Sequence, residues 1–232
     1  MIEGIKKLRS DLENLPPQLY VQAVCTFELL NDLLQTTTLY YVQRSPEELG
    51  DFKWRIDAKD KKVTPYERLW TTIVLPMIQS KSFSEPFAQL VGADYSYFSR
   101  FCETTDLAPE HIRPFIKTPS PFEYISIREV LGENVCFEQS HSNLGVQMID
   151  ILTTSLRRAM NGKLGIDGWG GGGGKLMVSP LRRKQVIHLV DITGDGMTPY
   201  LEEKSPPFHQ VFSIVDQSCK PILVDTITTL CP

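Results

Sequence analysis

Cysteine and histidine are scarce in this 232-residue chain, which holds five of the one and four of the other. Cys25, Cys102, Cys136, Cys219 and Cys231 are odd in number, and no two form a Cys-x-x-Cys pair. That excludes a zinc knuckle and leaves no disulfide framework to read, so the five read as reduced, buried thiols. No apolar run reaches the roughly 18 residues that a spanning helix needs. The opening Met-Ile-Glu-Gly-Ile-Lys-Lys-Leu-Arg also lacks the apolar stretch of a signal peptide. The expectation is a cytoplasmic protein that makes no use of a membrane. An excess of positive charge is missing as well: 24 Lys and Arg stand against 28 Asp and Glu, a net charge of −4. Such a chain has no global field for polyanions, and any nucleic-acid site must be local or metal-assisted. There is no G-x-S-x-G elbow to support serine-hydrolase chemistry, and no internal repeat.

What is present is an ordinary globular composition, 41% hydrophobic and 22% charged, which excludes a disordered or collagen-like chain. Residues 3–14 read as a short amphipathic helix that ends at Pro16-Pro17, and a buried helix follows from Pro17 to about Gln35, stopped by Thr36-Thr37-Thr38. Leu39-Tyr40-Tyr41-Val42 is β-rich. From Phe52 to Asp57 the alternation is strict, with Phe52, Trp54 and Ile56 on one face and Lys53, Arg55 and Asp57 on the other. Thr64-Pro65-Tyr66-Glu67 carries the spacing of a capping box and opens a helix to about Ile78. Residues 85–101 read as a strand running into an aromatic helix, and the Pro-rich stretch 108–121 as a connection. Asn134–Glu138 is a short strand, and Ser142 caps a helix from about Asn143 to Met160. Beyond Gly162 the texture changes to a glycine run, a basic cluster, a strand at Val186–Val190 and β-rich pieces. The expected organisation is an α/β domain over residues 1–162, with helices flanking a mixed sheet. A Gly-rich connector and a β-rich C-terminal appendage occupy 163–232.

On the helix 143–160, Asn143, Gln147, Asp150, Thr154 and Arg157 recur at steps of four and three and share a face. Leu144, Met148, Ile151, Leu152 and Leu156 take up the rest of the circumference. A solvated stripe and a substrate-facing stripe both fit that pattern. The segment Phe52–Asp60 is followed by Tyr66-Glu67-Arg68-Leu69-Trp70 with Pro76, by Gly92-Ala93-Asp94-Tyr95-Ser96-Tyr97-Phe98, and by Ser140 through Gly145-Val146-Gln147-Met148-Ile149-Asp150. Together these resemble the bacterial domain-of-unknown-function 3800 family, whose closing signature is a Ser, a short gap and then Gly-x-Gln-Leu-Ala-Asp opening a helix. The likeness covers most of residues 35–190.

The resemblance implies a ribonuclease H-like fold and a metal-dependent nuclease. Acids from a central strand and a later helix would surround two divalent cations, magnesium or manganese, and cleave a phosphodiester of DNA or RNA. Asp150 matches the acid of the family's closing helix, and Asp57 the acid at the end of an interior strand. Glu138 is an assisting candidate and Asp60 a further metal candidate, though Asp60 lies an odd number of steps from Asp57. The family's opening strand, with Asp-Glu-Ser, has no counterpart among these 232 residues. That implies an N-terminally incomplete site, completed by a missing segment or a partner chain. A non-catalytic interaction module of the same fold is the competing expectation.

Other signals are weaker. Asp191-Ile-Thr193-Gly-Asp195-Gly196 with Glu202 approaches calcium-loop spacing, yet Thr193 breaks it and Pro199 sits inside, so a Gly-Asp-Gly turn is the reading. Gly170–Gly174 with Lys175 fails as a phosphate loop and reads as a connector, because Trp169 and Leu176 replace the required Gly and Ser or Thr. Lys175, Arg182, Arg183 and Lys184 form a local basic patch, a candidate nucleic-acid contact or a solvated loop. His141 stands at the head of the Asp150 helix, and His188 lies within an apolar strand.

Overall fold

A computed structural model of the chain describes residues 2–58, 60, 62–105, 122–165, 178–179, 208–211, 213 and 220–221. Two compact units are present, Met1–Gln139 and Ser140–Pro232. The division falls before the Asp150 helix rather than after residue 162, where the change in composition put it. Coarsely, the chain mixes helix and strand as expected, and among the described residues each sheet has two strands.

In the first unit, α1 (Ile2–Glu13) leads through Pro16-Pro17 into α2 (Pro17–Arg44). The α2 helix runs straight through the threonines that were expected to stop it and through the β-rich Leu39–Val42. Burial overrides local preference here: Leu30, Leu34, Leu39 and Val42 all face the core. The hydroxyl of Thr38 stays inside the helix, donating to the carbonyls of Leu34 (2.8 Å) and Gln35 (3.0 Å), so a buried threonine costs the helix no unpaired group.

Strand β1 (Trp54–Asp57) follows, and then α3 (Pro65–Leu69), which continues through a π-helical turn at Trp70–Val74 into α4 (Leu75–Ser84). The start of α3 is the capping box read from the sequence. Thr64 Oγ1 accepts from the Glu67 amide at 3.3 Å, and the Glu67 carboxylate accepts from the Thr64 amide at 3.2 Å. Pro76 has no N–H for the carbonyl four residues back, and its ring crowds that carbonyl. The wider π turn just before it accommodates the ring.

Residues 85–97 form an irregular, turn-rich segment instead of the expected strand and helix. Asp94 Oδ1 accepts from the Ser96 amide (2.9 Å), and Gly92 takes φ +78°, a left-handed turn conformation suited to glycine. A 3₁₀ turn at Phe98–Phe101 leads into β2 (Cys102–Thr105), which pairs antiparallel with β3 (Phe122–Ile125). Across this ladder the Tyr124 hydroxyl donates to Glu103 Oε2 at 2.5 Å. That bond pushes the Tyr124 phenol up to about 12, and hydrogen bonds from Ser126 and Tyr124 hold the Glu103 carboxyl below the usual carboxylate range. The Pro-rich stretch 108–121 lies outside the described residues.

A second π turn, Glu129–Glu133, precedes β4 (Val135–Glu138). The two π turns are tied together, since Trp70 Nε1 donates to the Leu131 carbonyl at 3.0 Å. β4 pairs parallel with β1 in the register Trp54–Val135 through Asp57–Glu138. The core of this unit gathers Leu30, Leu34, Ile73, Val74, Ile127 and Val130, with an aromatic group in which Phe52 touches Tyr41, Trp54, Phe98 and Phe101. The Trp54 and Ile56 face of β1 and the Val135 and Phe137 face of β4 pack against it. The alternation read over residues 52–57 therefore has the expected sides.

In the second unit, α5 (Leu144–Met160) is capped by Asn143, whose side chain accepts from the Val146 amide at 3.2 Å. The cap is one residue later than expected, because Ser142 belongs to a 3₁₀ turn at Ser140–Ser142. Ala159 packs with Val211, Leu156, Met160 and Leu164 in a small separate cluster. Short strands β5 (Val178–Ser179) and β6 (Lys220–Pro221) pair in parallel. The expected strand at 186–190, the glycine run, the basic cluster and the calcium-like loop lie outside the described residues. No helix among the described residues is long and apolar enough to cross a membrane.

Candidate carboxylate site

Residues paired in a parallel ladder send their side chains to the same face. The register of β1 and β4 therefore puts Arg55, Asp57, Cys136 and Glu138 together on the face turned away from the core. A direct contact agrees: Arg55 Nη1 meets Glu138 Oε1 at 2.6 Å in a pair that is partly open to solvent. Asp57 and Glu138 are the last residues of their strands and lie opposite each other, and the Ala58 amide extends the ladder by donating to the Glu138 carbonyl at 2.8 Å. Carboxyl ends of parallel strands are where open α/β sheets collect ligands, because loops diverge there and leave a crevice.

Such a crevice is present. A cleft of about 770 Å³ runs between the first turns of α2, the end of β1 and the start of α3. Asp57 and Ile56 form its β1 wall, Gln22 and Cys25 line it from α2, and Tyr66 from α3. The hydroxyls of Tyr66 and Thr26 lie 3.2 Å apart, bridging α3 and α2 across the cleft floor. Sequence reasoning missed Gln18, Gln22, Thr26 and Tyr66 as site residues. Helical spacing read the helix as buried, whereas only one side of α2 is, with Val21, Leu29 and Leu33 exposed, and nothing local in the sequence says which strand end its first turns approach.

The other candidates fall elsewhere. Asp60 lies exposed beyond the end of β1, so the strand-parity argument no longer applies to it. Asp150, in the second unit, lines a hollow of about 340 Å³ with Thr154, Ser155 and Arg158. Of the stripe read on this helix, Asn143 serves as the cap, Gln147 is half-buried and Arg157 is exposed, while Arg158 rather than Arg157 shares the hollow with Asp150. The apolar positions Leu144 and Ile151 are 71% and 64% exposed, the reverse of a buried flank. His141 is exposed. Lys175, Arg182, Arg183, Lys184 and His188 lie outside the described residues. Cys25, Cys102 and Cys136 are free thiols, but they are not the buried ones expected: Cys25 is exposed, because it lies off the core face of α2, and Cys102 and Cys136 are half-buried.

Among the described residues no group of three or more His, Cys, Asp or Glu is close enough to hold a metal. The two acids that the register sets opposite each other, Asp57 and Glu138, offer oxygen donors only. Magnesium suits them, because that ion takes one or two protein carboxylates and keeps its remaining positions for water and substrate phosphate. Comparison with family models, with curated proteins and with solved structures finds no match for the chain.

Proposed function

We propose that the chain is a divalent-metal-dependent phosphodiesterase of ribonuclease H-like type, in which Asp57 and Glu138 form the carboxylate pair. The in-register placement of these two acids at the carboxyl ends of adjacent parallel strands carries the reading. Magnesium held by Asp57 and Glu138 would supply an activated water and offset charge on the phosphate. Arg55 holds the Glu138 carboxylate through its 2.6 Å contact. Its guanidinium also brings positive charge to a face otherwise set by acids, which lowers the barrier to approach of an anionic strand. Asp150, in the other unit, is a separate candidate acid, on the likeness of its helix to the family's closing motif.

The test is cleavage of single- and double-stranded DNA and RNA by the full chain with magnesium or manganese. Cleavage by the parent that falls to background in Asp57→Asn and in Glu138→Gln, with both variants folded by circular dichroism, is the expected result. Parental rates in both variants would overturn the assignment.

A second reading is favoured by one observation. Among the described residues β1 and β4 pair with each other alone, and parallel sheets are normally several strands wide and covered on both faces. We propose as the alternative that this is an interaction module whose sheet is extended by a strand from a partner chain. A monomer by sedimentation, together with metal-dependent cleavage, would dismiss it.

A further inference from the structure

Helix α2 is apolar almost all the way round. Its 28 residues hold three charges, Glu28, Asp32 and Arg44, and a helix of that composition is ordinarily covered on every side. One side is covered: Ala23, Leu30 and Leu34 belong to the core. The other is open along a single ridge of four-residue steps, Val21, Cys25, Leu29 and Leu33, with Val21 40%, Leu29 59% and Leu33 37% exposed and Cys25 an exposed thiol. Ridges of this spacing pack into the grooves of another helix in the commonest class of helix crossing, and a contiguous exposed apolar strip marks a contact surface.

The order of side-chain sizes along the ridge says which helix fits. The smaller residues, Val21 and Cys25, stand at one end and the larger, Leu29 and Leu33, at the other. A second α2 running antiparallel about the midpoint of the ridge sets Val21 beside Leu33 and Cys25 beside Leu29. Every contact then joins a smaller side chain to a larger one, and a two-fold axis repeats the pattern. A parallel copy in register would stack large on large and bring the two Asp32 carboxylates together. In the antiparallel arrangement Asp32 meets Gln22 of the second copy, whose side-chain amide is a donor for it. The two Asp32 residues stand about 15 Å apart along the helix at ~1.5 Å per residue. Glu28 is engaged on its own chain, 4.0 Å from Lys81.

We propose that this face of α2 is an interface between two copies of the chain, antiparallel and centred between Cys25 and Leu29. Four ridge residues are fewer than the roughly 20–30 per side of a standard interface, so the association is weak, on the order of ten micromolar, and each protomer keeps its own core. Neither functional reading is needed for it, and pairing through α2 is distinct from pairing through the edge of the β1–β4 sheet.

Sedimentation equilibrium of the full chain from about 1 to about 200 μM measures the association. The parent should pass from monomer to dimer over that range. Leu29→Lys, folded by circular dichroism, should weaken the dimer about ten-fold or more by placing a charge in the contact. Val91→Lys, at an apolar site 106% exposed but off the helix, should leave it unchanged. Mixed variants read the register. In a Cys25→Ser background, Val21→Cys and Leu33→Cys should form an intermolecular disulfide when mixed under mild oxidation, identified by peptide mass. Neither should do so alone, since like positions stand about 18 Å apart along the helix. A chain monomeric throughout, or a dimer indifferent to Leu29→Lys or weakened as much by Val91→Lys, would overturn the proposal. So would the absence of the mixed disulfide, or its formation as readily by either variant alone.

Discussion

Trp70 and Trp54 offer a controlled comparison, because both pack on the core of the first unit and their indole N–H groups are treated in opposite ways. Trp70, 2% exposed, donates to the Leu131 carbonyl at 3.0 Å and ties the two π turns together. Trp54 Nε1 is buried without a hydrogen-bond partner. Trp70→Phe removes two ring carbons, about 1.5–2 kcal/mol at ~0.8 kcal/mol per buried carbon. It also strips a buried carbonyl of its donor, a further 1–3 kcal/mol or so. The expected loss is about 2.5–5 kcal/mol. Trp54→Phe gives up less packing, since Trp54 is only partly buried, and removes a donor whose burial itself costs roughly 1–3 kcal/mol. The expected change lies between a loss of about 1 kcal/mol and a gain of about 2 kcal/mol. Urea unfolding followed by far-ultraviolet circular dichroism measures both, and it avoids fluorescence, which each variant alters by removing one of three tryptophans. Costs equal within about 0.5 kcal/mol, or a larger cost at Trp54, would refute the reasoning that hydrogen-bond satisfaction separates the two sites.

Three further outcomes are expected. Tyr124 is held protonated by Glu103, so its folded pKa of about 12 lies above the unfolded value near 10. Its contribution is therefore complete below pH 10 and is lost as pH rises toward 12. An ultraviolet absorbance titration should show one tyrosine ionising late, and Tyr124→Phe should abolish that late step. Thr64→Ala breaks the capping box at the head of α3 and should lower stability by about 0.5–2 kcal/mol in a urea midpoint, with Thr64→Ser close to parental. Leu34→Ala, at a site 2% exposed, should cost about 2–5 kcal/mol, whereas Leu29→Ala on the same helix, 59% exposed, should stay within ~0.5 kcal/mol.

Several elements of this protein were written locally. The strict alternation at residues 52–57 settles which side of β1 meets the core, since side chains in a strand must alternate and one set is apolar. The Thr64–Glu67 box settles where α3 begins, because its two hydrogen bonds close within four residues. The extent of α5 is read correctly for the same kind of reason, apart from a cap displaced by one residue. Other elements were decided by contacts between segments distant in sequence. Thr36–Val42 has the composition of a strand preceded by a stop, yet it is helical because Thr38, Leu39 and Val42 complete one buried face of α2. Residues 85–97 look regular but are held in turns by single bonds such as Asp94 to Ser96.

For the candidate site, the sequence singled out Asp57 and Glu138 as separate acids, each at the end of its own strand. Their standing opposite each other depends on a parallel pairing between segments some eighty residues apart. Register of that kind is set by which faces bury together, and no local pattern encodes it. The same holds for the cleft, where Gln22 of α2 and Tyr66 of α3 become neighbours of Asp57 only after two helices and a strand end have packed. Local sequence thus chose the chemical groups and the elements that carry them. Tertiary packing chose which groups meet, because burying the apolar face of each element leaves its polar face only a few directions to point.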